Sequence, residues 1–178
     1  MVAQTTKIQT FVSSSGNDAN TSSGCQMGAP CQTIDRALSV TVAGGAVVCL
    51  DTGSFNVSPI NITQAVTIDC HDRLVAAIPS TEPCAEDGIV INAPGGVVTL
   101  RDINISGSPT SLSDQPICGQ NGIHIEAAAV VNLEDCVTEN WSQSGISVTT
   151  SANMVLNVRN TTIRNVANGI SFAPTGAP

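Results

Sequence analysis

A glycine followed by isoleucine, one variable residue and another apolar residue recurs four times in this chain: GIVI from Gly88, GIHI from Gly122, GISV from Gly145 and GISF from Gly169. The glycines stand 34, 23 and 24 residues apart. Each of the first three is followed by a second alternating run, VVTLRDINIS from Val97, VVNLEDCVTE from Val130 and MVLNVRNTTIR from Met154. Removing an insertion of about 11 residues around GSPTSLSDQPICG (107–119) brings the first interval to the same ~23 residues, the length of one coil of a solenoid whose strands stack on the coil below. AVVCLD from Ala46, INIT from Ile60 and AVTIDC from Ala65 fit the same unit more loosely and read as the first coils. An antiparallel sandwich also uses short strands at such spacing, but it does not explain why the same residue types return at the same place in each unit.

Composition agrees with a strand-built core. The chain has 42% hydrophobic residues with only 2% aromatics, so Val, Ile and Leu must fill the interior. No run approaches the ~20 apolar residues of a membrane-spanning helix. A net charge of −8 argues against nucleic acid or an anionic membrane surface as partner, and the expectation is a soluble protein. Seven cysteines point to an oxidising compartment, and the start at Met1-Val2-Ala3-Gln4 is compatible with a removed signal peptide. Without a CxxC pair, two histidines do not make a zinc site.

The repeat, together with the opening FVSSSGNDANTSSGCQMGAPCQTIDRALSVTVAGGAVVCLDTGSFNV, resembles the pectin lyase-like superfamily of right-handed parallel β-helices, and in particular its secreted bacterial repeat proteins. The resemblance covers nearly the whole chain. It implies an all-β, right-handed parallel β-helix forming a single domain over 1–178. Residues 1–45 would hold an extended segment, a disulfide loop and a cap helix, and 46–178 the stacked coils. The spacing of Thr33, Ile34, Ala37 and Leu38 predicts a short amphipathic helix from about Gln32 to Val42, covering the open end of the first coil. GISFAPTGAP stops one strand into a coil with no cap, so self-association through that edge is expected, visible as dimers or larger species in light scattering.

Stacking gives each position a neighbour ~4.8 Å above and below. Arg101, Glu134 and Arg159 then fall in one column of alternating sign and read as an exposed salt-bridge ladder. Asp102, Asp135 and Asn160 form the next column, at a turn where Asn and Asp tolerate left-handed backbone. A structural turn ladder accounts for them, and calcium held between Asp102 and Asp135 is the alternative. Cys25 and Cys31 bracket a tight loop and should pair. Cys49 with Cys70 and Cys84 with Cys118 occupy equivalent sites on successive coils and should bridge them, leaving Cys136 as a small buried hydrophobe.

In the GIHI coil, Ile123 and Ile125 point inward and His124 and Glu126 outward. In the enzymes that this fold resembles, the substrate groove runs along the strand that follows the most variable loop. Here that strand is GIxI, which gives a candidate groove of Asn92, His124, Glu126, Ser147, Thr149 and Ser171, with Trp141 stacking on a sugar face or else shielding the core edge. His124 and Glu126 are the candidate acid–base pair. No second acid is evident beside Glu126, and the Asn-Thr-Asp, Gly-His-Gly and Arg-Ile-Lys motifs of polygalacturonases are missing. The expectation is a secreted, periplasmic or cell-surface module that binds a polysaccharide or serves as structure, without a cofactor other than calcium. A polysaccharide lyase or glycoside hydrolase and an adhesin or phage-type stalk are the alternatives.

Overall fold

A computed structural model describes residues 7–53, 55, 59–77, 86–107 and 119–174. Eleven strands form one sheet in which every strand pair runs parallel, as stacked coils require. The strands are β1 (Lys7–Val12), β2 (Thr41–Cys49), β3 (Ile60–Ile62), β4 (Val66–Ala77), β5 (Ile89–Asn92) and β6 (Val97–Ser106). They continue with β7 (Asn121–Ala127), β8 (Val130–Glu134), β9 (Val137–Val148), β10 (Val155–Arg159) and β11 (Thr162–Phe172). The parallel β-helix expected from the repeat is therefore what the chain forms.

The registers reproduce the repeat position by position. Ile89 sits on Ile123 and Ile123 on Ile146, while Val98, Val131 and Leu156 stack in the second column. Ile89, Ile91, Ile123, Ile125, Val98, Leu100, Val131 and Leu133 are all fully buried. Each such side chain contributes roughly 1.5–3 kcal/mol of transfer free energy, so the interior is a set of aliphatic stacks running through the coils.

The start of the chain differs from the sequence reading in two ways. The cap helix α1 spans only Ile34–Leu38, because Val40, Thr41 and Val42 are β-branched and the chain is already strand from Thr41. Thr33 caps it by accepting from the Arg36 N–H, and Ile34, Ala37 and Leu38 are buried as anticipated. The segment before the helix is itself a rung: β1 pairs with β2 from Lys7 opposite Thr41 to Val12 opposite Cys49, so stacking begins well before residue 46.

Corners are set by single left-handed residues. Asp102, Asp135 and Asn160 have φ of 51°, 55° and 48°, and the Asn160 amide donates to Asp135 Oδ1 at 3.1 Å, so this column is an amide-capped turn ladder. A second ladder has Asn140 (φ 63°) and Asn165 (φ 53°), whose amide donates to the Asn140 side-chain carbonyl. Beside the first corner the charge ladder is present: Arg101 Nε lies 2.9 Å and Arg159 Nη2 3.5 Å from Glu134 Oε2. Its hydrogen bond to Glu134 raises the Arg101 guanidinium above its ordinary value, against an opposing effect of burial. On the last described coil Val155, Ile170 and Phe172 are exposed.

Two expected disulfides form, Cys25–Cys31 and Cys49–Cys70, the latter joining coils across a Cα separation of 4.6 Å. Cys84 and Cys118 lie outside the described residues. Cys136 is free, 1% exposed, and donates to the Glu134 and Leu100 carbonyls at 3.3 and 3.4 Å. Burial pushes its thiol up, which suppresses the reactive thiolate. Iodoacetamide applied to the folded protein should therefore leave the Cys136 peptide unmodified, and alkylation should follow unfolding. Rapid labelling of native protein at Cys136 would show that this coil opens.

Candidate functional site

The outward column of the GIxI strands runs Val90, His124, Ser147, Ser171, each opposite the next in register. Alternation along β7 turns Ile123 and Ile125 into the core and leaves the His124 side chain 21% exposed. Asp87, on the coil below and immediately before the repeat glycine Gly88, places Oδ2 2.7 Å from His124 Nδ1. Its other oxygen, Oδ1, accepts from the Asn121 backbone N–H at 3.0 Å and from the Asn121 amide at 2.8 Å. On the opposite side of the ring, His124 Nε2 is 2.9 Å from Thr149 Oγ1 at the end of β9.

An ionised carboxylate only accepts hydrogen bonds, so the imidazole carries its proton on Nδ1 toward Asp87. Nε2 is then an acceptor facing the Thr149 hydroxyl, which also lies 3.4 Å from the Ile125 carbonyl oxygen. Three residues from three coils thus form one directed chain, Thr149 to His124 to Asp87, with the carboxylate fixed by Asn121. The Asp87 side chain is only 13% exposed. An open cleft of about 430 Å³ lies in front of this chain, lined by His124, Glu126, Thr149, Thr150, Ser151 and Ala152.

The sequence-derived groove residues separate into three groups. His124, Glu126 and Thr149 share the cleft, but Glu126 Oε2 accepts from Asn92 Nδ2 at 2.9 Å, and Asp87 is the acid that meets the ring. The Asn92 register slips to Ala127, so a bulge at Glu126 turns the two side chains together. Ser147 is in the column but only 8% exposed, and Ser171 continues the column on β11.

Of the two readings of Trp141, the structure bears out the core one and corrects its place in the groove: it lies within β9 at 0% exposure, and its Nε1 donates to the Ile105 carbonyl at 3.4 Å. The left-handed Asn140 resets the in–out alternation and turns the indole into the core.

Asp87 and Asn121 are members of this candidate site that the sequence reading missed. A signal was present, because the residue before each repeat glycine is polar: Asp87, Asn121, Ser144 and Asn168.

A second cluster gathers at the first corner. Among the described residues, Asp69, His71 and Asp102 each offer one ligand atom, all within 4.8 Å of one another, with His71 Nδ1 3.4 Å from Asp69 Oδ1. Arg101 Nη1 stands 3.5 Å from the other oxygen of Asp69 and already supplies a positive charge there. Asp102 thus meets Asp69 and His71, and Asp135 accepts from the Asn160 amide.

Comparison with known families adds one match. The profile described as the right handed beta helix region matches residues 87–177, about half of the chain and the part that holds the four repeat glycines. The chain belongs to the right-handed β-helix family. No curated protein and no solved structure matches it. Within this β-helix the match includes His124, Thr149 and Asp87. No helix among the described residues is long and apolar enough to cross a membrane, and the disulfides fit an oxidising compartment.

Proposed function

We propose that this β-helix is a secreted or cell-surface module that binds a polysaccharide along the outward face of β5, β7, β9 and β11. The observation that carries this reading is the linked polar surface of Asn92, Glu126, His124 and Thr149 beside an open cleft. A linear polymer lying across the strands meets a new coil every ~4.8 Å, so one extended chain is presented with successive hydrogen-bonding rungs. With Trp141 buried and no Tyr in the chain, recognition rests on hydrogen bonds to hydroxyls rather than on aromatic stacking.

Charge favours a neutral glycan. Glu126 is exposed, Asp87 adds a second carboxylate beside His124, and the net charge is −8, so a polyuronate would meet repulsion unless a cation bridged the two. Affinity electrophoresis against neutral and acidic polysaccharides, with and without calcium, tests this. Retention by a neutral polymer is expected, weakened about tenfold in Glu126→Gln, the ~1.4 kcal/mol scale of one hydrogen bond to a charged group. No retention by any polymer, or equal retention by the variant, would remove this face as the binding surface. Shortened products in the same samples would identify a lyase or glycoside hydrolase, and a trimer without retention would point to a stalk.

A further inference from the structure

We infer that the Asp87–His124–Thr149 chain is an acyl-transfer centre, with Thr149 as nucleophile toward ester groups such as the O-acyl substituents of a polysaccharide. The natural substrate named here rests on the glycan reading above; the ester chemistry does not. Nucleophilic hydroxyl catalysis requires a hydroxyl within hydrogen-bond reach of a base, and that base oriented by a third group. Both contacts are made, at 2.9 Å and 2.7 Å, and Asn121 locks the orienting carboxylate with two donors.

Further features agree. Thr149 is β-branched, so its hydroxyl has few χ1 positions and is held where His124 Nε2 meets it. It sits at the exit of β9, half-buried at the wall of the cleft, where an ester has room to approach. Thr150 and Ser151 follow directly and line the same cleft, the side from which the oxyanion of the intermediate would be met.

The step balances without any co-reactant other than water. Thr149 Oγ1 bonds to the ester carbonyl carbon while its proton passes to His124 Nε2. The tetrahedral intermediate collapses, the ester C–O bond breaks, and the departing alkoxide takes that proton. Water then attacks the acyl-threonine, giving a proton to Nε2 that returns to Thr149 as the free acid leaves. Thr149 and His124 are the catalytic residues, and Asp87 is a positioning residue.

The test uses p-nitrophenyl acetate, with a fluorophosphonate probe read by intact-mass and peptide mass spectrometry. Hydrolysis above the buffer rate and one probe adduct on Thr149 are expected. Thr149→Val, nearly isosteric, and His124→Ala should each lower the rate at least about 100-fold, and Thr149→Ser should keep it. Asp87→Asn should lower kcat while leaving KM within about twofold, since it disturbs the base and not the ester contacts. Circular dichroism of each variant separates loss of chemistry from loss of fold. No hydrolysis and no adduct in the wild-type protein, or full activity in Thr149→Val, would overturn the proposal. Polysaccharide retention by the wild-type protein, measured in parallel, distinguishes this failure from failure of the glycan reading.

Discussion

Trp141→Ala should lower the unfolding free energy by about 3–5 kcal/mol, the range for truncating a large buried aromatic. In a chain of this size that is a fall of roughly 10 °C in melting temperature. The indole is fully buried and its Nε1 donates to the Ile105 carbonyl on the adjacent coil. It also lies against the repeat glycines: a Cβ placed on Gly88 would be 2.8 Å from Trp141 Cη2, and one on Gly122 2.9 Å from Nε1. Removing the ring would open a cavity between coils and leave the Ile105 carbonyl without that donor. Urea unfolding followed by circular dichroism measures the cost. Trp141 is the sole tryptophan, so its emission in the folded protein should be blue-shifted and poorly quenched by iodide. A stability change under about 0.5 kcal/mol together with lost polysaccharide retention would return Trp141 to the groove.

The same residue shows where sequence reasoning stopped. The coil period, the aliphatic columns, the Arg101–Glu134–Arg159 ladder and the Asp102–Asp135–Asn160 corner were legible because parallel stacking maps equal positions onto one another. The polar stretch ENWSQS (139–144) carries no apolar alternation that would mark it as strand. In a β-helix a strand can carry polar residues through a corner, and one left-handed residue such as Asn140 changes which side the next residue faces. The in–out phase is therefore readable within a strand and lost across a corner. The helix is present but shorter than expected for another reason: apolar spacing marked Ile34, Ala37 and Leu38 correctly but did not show that Thr41 pairs in register with Lys7, a contact between residues far apart in sequence.

At the site, alternation placed His124 and Glu126 outward correctly. Two residues along a strand are ~7 Å apart, however, which left Glu126 nearer to Asn92 on the next coil than to the imidazole in hydrogen-bonding terms. The acid that reaches His124 stands 37 residues earlier in sequence. Partners in a solenoid lie one coil away, and the insertion between Gly88 and Gly122 hid that Asp87 and Asn121 are stacked neighbours.

Gly122→Ala and Gly169→Ala, the same substitution at equivalent repeat positions, should differ by about 3 kcal/mol in cost. A Cβ on Gly122 would collide with Thr138 Oγ1 and stand 2.7 Å from the Gly145 carbonyl oxygen, so neighbouring coils would have to move apart. On Gly169 it would meet nothing within 4 Å, and that variant should change stability by less than about 0.5 kcal/mol. Neither position is among the glycines with positive φ, so backbone freedom is not the reason for the glycine. The requirement is closeness: strand backbone, Thr138 and Trp141 fill the space that a methyl group would take. Thr138→Ala placed in the Gly122→Ala background should recover part of the loss, because it removes the shortest contact but not the carbonyl. Gly122 also stands in β7 between Asn121, which anchors Asp87, and His124, so the damaged coil should lose p-nitrophenyl acetate hydrolysis along with stability. Paired urea titrations decide the point. Equal costs at Gly122 and Gly169 would mean that the repeat glycine answers to a local chain preference and not to the packing of one coil on the next.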